Sequence, residues 1–143
     1  MLVIDTSAVV AVLAGAPRDE RLVARLSDDG DLHAPHLVDI EVLHTLRRLV
    51  HHGELSEQRA NDVQADWADL AVTRYPHQGL AGRIWELRHN LTAYDAAFVA
   101  LSEELGVPLV TCDGAIGRAP GHVANVEVYG DADSGEGVEA PQS

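Results

Sequence analysis

Four acidic side chains in this sequence stand where an apolar segment meets a polar turn or where an apolar helix begins. They are Asp5 in the segment VIDTS, Glu41 in DIEVLHTL, Asp95 in LTAYDAAFVAL and Asp113 in PLVTCDG. A carboxylate on an otherwise apolar element is costly unless something compensates its charge. Mg²⁺ and Mn²⁺ prefer oxygen ligands, and two such ions can flank a phosphate during in-line hydrolysis. The pattern therefore predicts a divalent-metal site that hydrolyses phosphodiester bonds.

The four acids are expected to divide the work of this site. Asp5 and Asp95 are the predicted direct or water-mediated metal ligands, and Glu41 and Asp113 are predicted to complete the shell or to orient the attacking water. Two carboxylates about 5 Å apart repel by about 3 kcal/mol at an effective dielectric near 20, so several together require a cation or retained protons. Spacing alone does not decide whether Glu41 or Asp39 belongs to the site, because both acids lie early in the same predicted helix.

Other polar residues near these acids are predicted to support them or to bind the substrate. The hydroxyls of Thr6, Ser7 and Thr111 can hold metal ligands or a phosphate oxygen. The pair Arg47 and Arg48, which is followed by two histidines, forms the densest basic patch of the chain. Arginine suits phosphate binding, so this patch is a candidate contact for substrate phosphates, although a solvated helix face explains it equally well.

The elements that must position these residues alternate between strands and helices. Strands are predicted at about 2–4, 32–34, 71–75, 108–111 and 126–129, and Thr6 and Ser7 are predicted helix caps after the first strand. Helices are predicted at about 18–26, 37–50, 56–70, 78–89 and 92–106. This alternation indicates an α/β fold with a central parallel sheet flanked by α-helices.

A parallel sheet places the ends of its strands along one edge, and sites form outside the carboxyl ends. Asp5 and Asp113 both follow predicted strands. Asp95 lies in the first turn of a helix that Thr92 is predicted to cap, and Glu41 lies early in another helix. We therefore expect the four acids to meet in one cleft.

Composition limits the classes of protein to which this chain can belong. The chain has 143 residues and a formal net charge of −13, with four of its acids in the segment 130–143. All ten basic residues are arginines, which excludes Schiff-base chemistry and the lysine of a phosphate-binding P-loop. We expect one folded domain at 1–129, followed by a disordered acidic tail at 130–143.

The apolar stretches are shorter than the roughly 20 residues that a membrane span needs, and no basic secretory signal begins the chain. A soluble, cytoplasmic protein is therefore expected. The single cysteine, Cys112, cannot form an internal disulfide and is predicted to pack. The histidines lack a zinc-ligand pattern and are predicted to lie at the surface, while Trp67 and Trp85 are predicted core or dimer contacts.

The segments VIDTSAVVAVL and LTAYDAAFVALSEELGVPLVTCD, with an acid in an apolar helix between them, resemble the PIN-domain ribonucleases of the VapC toxin type. The resemblance spans about residues 1–129, and its most specific part runs from Asp95 to Asp113. It implies a three-layer PIN-like fold and a Mg²⁺- or Mn²⁺-dependent endoribonuclease. It further implies a homodimer that a cognate antitoxin inhibits by lying over the active site.

The acids of that family fall on Asp5, Glu41, Asp95 and Asp113, and the resemblance thus favours Glu41 over Asp39. One position departs from the family pattern. His44, one turn after Glu41, stands where the family commonly carries a small amide or hydroxyl residue. We expect this histidine to contact the substrate or to support the site through hydrogen bonds.

Two other functions are compatible with parts of the pattern. A phosphatase of the haloacid dehalogenase type also begins with an apolar strand that ends in Asp, but it needs a second acid two residues later, where this chain has Ser7. A non-catalytic partner-binding domain, either receiver-like or a PIN domain without activity, is the second alternative. The four acids argue against lost catalysis, and the missing lysine argues against receiver-type signalling.

Overall fold

The computed structural model describes residues 1–130 of the protein, so the expected acidic tail lies outside the described residues from Asp131 onward. Five strands form one sheet: β1 Leu2–Ile4, β2 Leu32–Pro35, β3 Val72–Tyr75, β4 Leu109–Thr111 and β5 Val126–Val128. Their order is β3-β2-β1-β4-β5, and all neighbouring strands are parallel. The predicted parallel sheet is confirmed.

The strand order reverses between β1 and β4, because the chain adds β2 and β3 on one side of β1 and then places β4 and β5 on the other. Val3 pairs with Leu109 and Ile4 with Val110. An open parallel sheet forms a crevice outside the carboxyl ends of its strands at such a reversal. The residues that follow β1 and β4 therefore emerge beside each other at this crevice.

Seven α-helices within residues 1–130 flank the sheet: α1 Thr6–Ala14, α2 Glu20–Asp28, α3 Leu37–His51, α4 Glu57–Asp69, α5 Ala81–Glu86, α6 Ala93–Leu105 and α7 Gly114–Arg118. In this part of the chain, none is long and apolar enough to cross a membrane. The helix predicted at about 78–89 is shorter, because a 3₁₀ turn at Gln78–Leu80 precedes α5. Gly79 and Gly82 weaken helix formation there. Gly114 and Gly117 also weaken helix formation, so the sequence pattern did not predict α7.

Helix α6 is the central helix of the fold. Every residue from Ala96 to Ser102 is buried, as expected of a helix that is apolar on all sides. Thr92 caps its N-terminus by accepting a hydrogen bond from the Asp95 amide at 3.1 Å. Gly106, with a φ of 67°, ends the helix in the left-handed conformation. The burial of α6 against the sheet fixes the position of Asp95 in its first turn.

Candidate active site

The four predicted acids all line one cavity of about 350 Å³. Asp5 follows β1, Asp113 follows β4, Asp95 lies in the first turn of α6 and Glu41 lies in the second turn of α3. We call this cavity the acid cleft. The structure thus brings together four carboxylates, of which the first and the last are more than 100 residues apart in the sequence.

Asp5 is the most buried of these acids, with 5% of its surface exposed. Its Oδ1 accepts hydrogen bonds from the Ser7 hydroxyl at 2.7 Å and the Ala8 amide at 3.2 Å, and its Oδ2 accepts one from the Thr111 hydroxyl at 2.7 Å. Burial raises the pKa of Asp5 to about 6; these hydrogen bonds offset part of that rise, and nearby Asp113 adds to it. The chain therefore holds this carboxylate rigidly but disfavours its charge.

Asp5 and Asp113 also cap helices. Asp5, and not Thr6 or Ser7, is the N-cap of α1, because its carboxylate reaches the amide of Ala8. Asp113 is the N-cap of α7 and accepts from the Ala115 amide at 2.9 Å. Capping and lining the cleft are therefore compatible roles of the same side chains.

The predicted hydroxyl residues connect the acids to one another. The Thr6 hydroxyl donates to Glu41 Oε1 at 2.6 Å. The Cys112 amide donates to the Ser7 hydroxyl at 2.9 Å, and the Asp113 amide donates to the Thr111 hydroxyl at 2.9 Å. The ends of β1 and β4 are thus joined by side chains that also hold Asp5.

Asp95 is half-buried, and no arginine forms an ion pair with it within the described residues. Burial raises the pKa of Asp95, and the negative charges of Asp113 and Glu41 raise it further. This repulsion shows that the carboxylates act on one another across the cleft. A cation at their centre would relieve it.

One face of α3 lines the acid cleft. Glu41, His44, Thr45 and Arg48 all border the cavity, and their spacing of three, four and seven residues places them on one side of a helix. Thr45 and the buried Phe98 complete the lining without having been predicted. The helical spacing from Glu41 would have found Thr45, whereas Phe98 has only the signal of a core residue.

Asp39, the acid that competed with Glu41 in the sequence, lies elsewhere. Its carboxylate accepts hydrogen bonds from Arg74 at 2.6 and 2.9 Å and from the Trp67 indole at 2.9 Å. The hydrogen bonds from Arg74 lower the pKa of Asp39. Asp39 is thus a structural ion-pair partner, and Glu41 is the acid that α3 contributes to the cleft.

The predicted basic pair is divided between two surfaces. Arg48 borders the acid cleft, whereas Arg47 borders a separate groove of about 370 Å³ between α3 and α4. Leu43, Leu46 and Val50 give this groove an apolar floor. The two arginines therefore cannot be treated as one phosphate-binding unit.

Four further side chains bear on the sequence predictions. His33 is buried, contrary to the expected surface position, and its nitrogens lie 2.7 Å from the Tyr75 hydroxyl and 2.9 Å from Asp31. Trp67 is in the core, whereas Trp85 is 66% exposed. Cys112 is half-buried, and burial raises the pKa of its thiol to about 11, which agrees with a packing role.

The donor set of the cleft fits Mg²⁺ or Mn²⁺, since it consists of carboxylate and hydroxyl oxygens. The negative charges of Asp113 and Glu41, which help to raise the pKa of Asp95, are a second sign that positive charge is favoured there. Within residues 1–130, however, no three acidic, histidine or cysteine side chains are already arranged to hold an ion. Binding therefore requires the side chains to rotate towards one another.

Comparison with known proteins supplies a family context for this geometry. A family model described as PIN domain matches residues 2–121. The chain is 46% identical to Ribonuclease VapC9 of Mycobacterium tuberculosis over 113 residues, covering 79% of this chain and 86% of the relative. It is 43% identical to Ribonuclease VapC1 of the same organism over 120 residues, covering 83% and 90%.

Solved structures have the same fold at low sequence identity. VapC20 of Mycobacterium tuberculosis, described as a sarcin-ricin loop cleaving toxin, superposes with a TM-score of 0.60 at 20% identity, covering 86% of this chain and 97% of that one. VapBC2 from Rickettsia felis, bound to a DNA fragment from its promoter, gives 0.66 at 13% identity, covering 89% and 97%. These similarities establish the fold.

Proposed function

Because this chain belongs to the PIN-domain family, we propose that it is a metal-dependent endoribonuclease and the toxin of a type II toxin–antitoxin pair. Curated relatives at 36–46% identity are named VapC ribonucleases. The observation that carries the proposal is the convergence of Asp5, Glu41, Asp95 and Asp113 on one cavity at the reversal of strand order. In the described part of the chain, no arginine forms an ion pair with any of them.

The four carboxylates would hold Mg²⁺ or Mn²⁺, with Asp5 and Asp95 as the principal ligands. When bound, such an ion neutralises charge on the phosphate and makes water a better nucleophile at neutral pH. Ser7 and Thr111 keep Asp5 in its orientation, and Thr6 does the same for Glu41. These hydrogen bonds fix the orientation of Asp5 and Glu41 before an ion binds.

The substrate phosphate enters between the acids and Arg48. Arg48 is exposed, borders the cleft and carries a guanidinium that matches two phosphate oxygens. Glu41 and Asp113 orient the attacking water and take up its proton. Arg47 faces the α3–α4 groove, so its contact with RNA depends on a substrate that extends beyond the cleft.

The protein acts in the cytoplasm as a homodimer and is inhibited by a cognate antitoxin. Support for an antitoxin comes from VapBC-5 of Mycobacterium tuberculosis, a member of the VapBC family of toxin-antitoxin systems, whose fold superposes on this chain with a TM-score of 0.51. Ile40, Trp85 and Tyr94 are large side chains that are about two-thirds exposed, and burying them against a second copy would be favourable. Molecular mass measured by light scattering tests the dimer directly.

Cleavage of RNA by purified, partner-free protein is the decisive experiment. We expect products from single-stranded or structured RNA with Mg²⁺ or Mn²⁺, no products with chelator, and none from Asp95→Asn. Asp95→Asn also controls for a contaminating ribonuclease. Equal cleavage by the wild type and Asp95→Asn, or cleavage that persists with chelator, would rule out the proposed active site.

Metal binding can be measured separately from RNA cleavage, by thermal unfolding. A ligand that binds only the folded state raises the melting temperature. Mg²⁺ or Mn²⁺ should therefore stabilise the wild type and stabilise Asp5→Asn much less. Equal shifts in the two proteins would show that the ion binds outside the acid cleft.

A further inference from the structure

His44 is distinguished from the other histidines of residues 1–130 by its place at the acid cleft. It borders the acid cleft together with Glu41 and Arg48. Within residues 1–130 its imidazole forms no hydrogen bond and no ion pair, whereas His33, His77 and His122 are each engaged in hydrogen bonds. Both ring nitrogens of His44 are therefore available to a molecule that enters the cleft.

The position of His44 on α3 places it between two groups of opposite charge. Glu41 precedes it by three residues and Arg48 follows it by four, and all three border the same cavity. Asp5, Asp95 and Asp113 face the cleft from the ends of β1, α6 and β4, respectively. A phosphate bound between the acids and Arg48 would therefore bring its ester oxygens close to the imidazole.

During hydrolysis of a phosphodiester, the leaving oxygen takes up a proton on the side of the phosphorus opposite the attacking water. The water oxygen bonds to phosphorus, the bond from phosphorus to the leaving oxygen breaks, and that oxygen takes the electron pair. Imidazole is the side chain whose ordinary pKa lies closest to neutral pH, and it is the commonest general acid in enzymes. Among the described residues that border the cleft, His44 is the only one with an imidazole.

We propose that His44 is a catalytic general acid that protonates the leaving oxygen of the RNA. The inference rests on the proposed ribonuclease function and adds a residue to it. The imidazolium gives its proton to the leaving oxygen, and the attacking water loses a proton to a cleft carboxylate. Exchange with solvent restores both groups, so the reaction consumes one water and no net proton.

The test uses a leaving group that needs no protonation. An RNA oligonucleotide that the wild type cuts at one site is synthesised with oxygen or with sulfur at the bridging position that leaves, as identified from the cleavage products. A thiolate leaves without an acid because thiols are far more acidic than alcohols. The variant His44→Gln keeps a hydrogen-bonding side chain but cannot act as an acid at neutral pH.

His44→Gln should cleave the oxygen substrate about 10²-fold more slowly than the wild type, the usual contribution of a general acid. On the sulfur substrate, the two proteins should differ by less than about threefold, because the acid is no longer needed. RNA affinity, measured with Ca²⁺ in place of Mg²⁺, should be equal in the two proteins. His89→Gln, an exposed histidine that does not border the cleft, serves as the matched control and should behave as the wild type.

Each outcome bears on the proposal. Equal losses on both substrates would assign His44 a binding or structural role, and an unchanged rate on the oxygen substrate would exclude it from catalysis. Both results overturn this inference while leaving the ribonuclease intact. If the wild type itself cleaves no RNA, the proposed function fails first, and the role of His44 fails with it.

Discussion

The carboxylates of the acid cleft and those of the arginine ion pairs are the same chemical groups in opposite electrostatic settings. Asp39, Glu103 and Glu127 each accept short hydrogen bonds from an arginine, and those bonds lower the pKa of each acid. Asp5 and Asp95 have no such partner in the described residues, and burial raises the pKa of both.

The difference separates acids whose charge stabilises the fold from acids whose charge is available to a ligand. In an ion pair, an arginine already balances the charge of the carboxylate when the protein folds. A group of clustered acids that form no ion pair with an arginine still carries unbalanced charge, and its repulsion lowers stability until a ligand binds. Such sites are a common place where proteins sacrifice stability for activity.

The largest expected effect comes from two acids that lie two residues apart on α3. Glu41→Gln should lower the rate of RNA cleavage by about 10²-fold or more, as loss of a charge at a reacting centre usually does, with little change in stability. Asp39→Asn should leave cleavage nearly unchanged but lower the free energy of unfolding by about 1 to 2 kcal/mol, because Arg74 loses its partner. Cleavage rates and urea unfolding of both variants provide the measurements.

A reversal of these two results would break the comparison. If Asp39→Asn abolished cleavage while Glu41→Gln did not, the structural acid would be Glu41 and the catalytic acid Asp39. If both variants lost cleavage without losing stability, the distinction between paired and unpaired acids on α3 would be wrong.

The second prediction concerns the pH dependence of stability without metal. The pKa of Asp5 rises from 3.8 to about 6 on folding, so the folded state binds the proton more tightly than the unfolded state. The wild type should therefore lose stability as the pH rises from about 4 to about 6 and level off above, by at most about 3 kcal/mol from this group. Asp5→Asn should lack this component.

Urea unfolding with chelator at a series of pH values measures this dependence. The difference in stability between Asp5→Asn and the wild type should shift in favour of the variant between about pH 4 and pH 6. A shift in favour of the wild type would mean that folding favours the charge of Asp5.

A third, smaller effect is expected at the partly buried ion pair between Arg83 and Glu103. Glu103 accepts hydrogen bonds from Arg83 at 2.7 and 3.1 Å and from the Val123 amide at 2.8 Å. Glu103→Gln should lower the free energy of unfolding by about 1 to 2 kcal/mol and leave the thermal response to Mg²⁺ unchanged. The exposed neighbour Glu104 provides the control, since Glu104→Gln should change neither quantity. A changed Mg²⁺ response in Glu103→Gln would couple this ion pair to the cleft.

The smallest effect separates the two neighbouring arginines of α3. Arg48→Ala should reduce the slope of log affinity for RNA against log salt by about 0.7, the value for one lost contact to a single strand. Arg47→Ala should leave the slope unchanged with a short RNA, because Arg47 faces the other groove. Fluorescence anisotropy with Ca²⁺ measures both slopes. Equal slopes in the two variants would place both arginines, or neither, on the RNA.

The sequence by itself determined the order of the main strands and helices and the edge of the sheet where the acids lie. Apolar runs that end in Asp5 and Asp113 place both side chains after parallel strands, and the register of such strands leaves them only one edge. Thr92 and the apolar helix behind it fix Asp95 in the same way.

Only the tertiary structure decided which side chains of α3 belong to the cleft. Successive helical residues point about 100° apart, so the choice between Asp39 and Glu41, or between Arg47 and Arg48, depends on how α3 is rotated. The packing of α3 against α1, α4 and β2 sets that rotation. These contacts join residues far apart in the chain, and no local pattern around Glu41 or Arg48 encodes them.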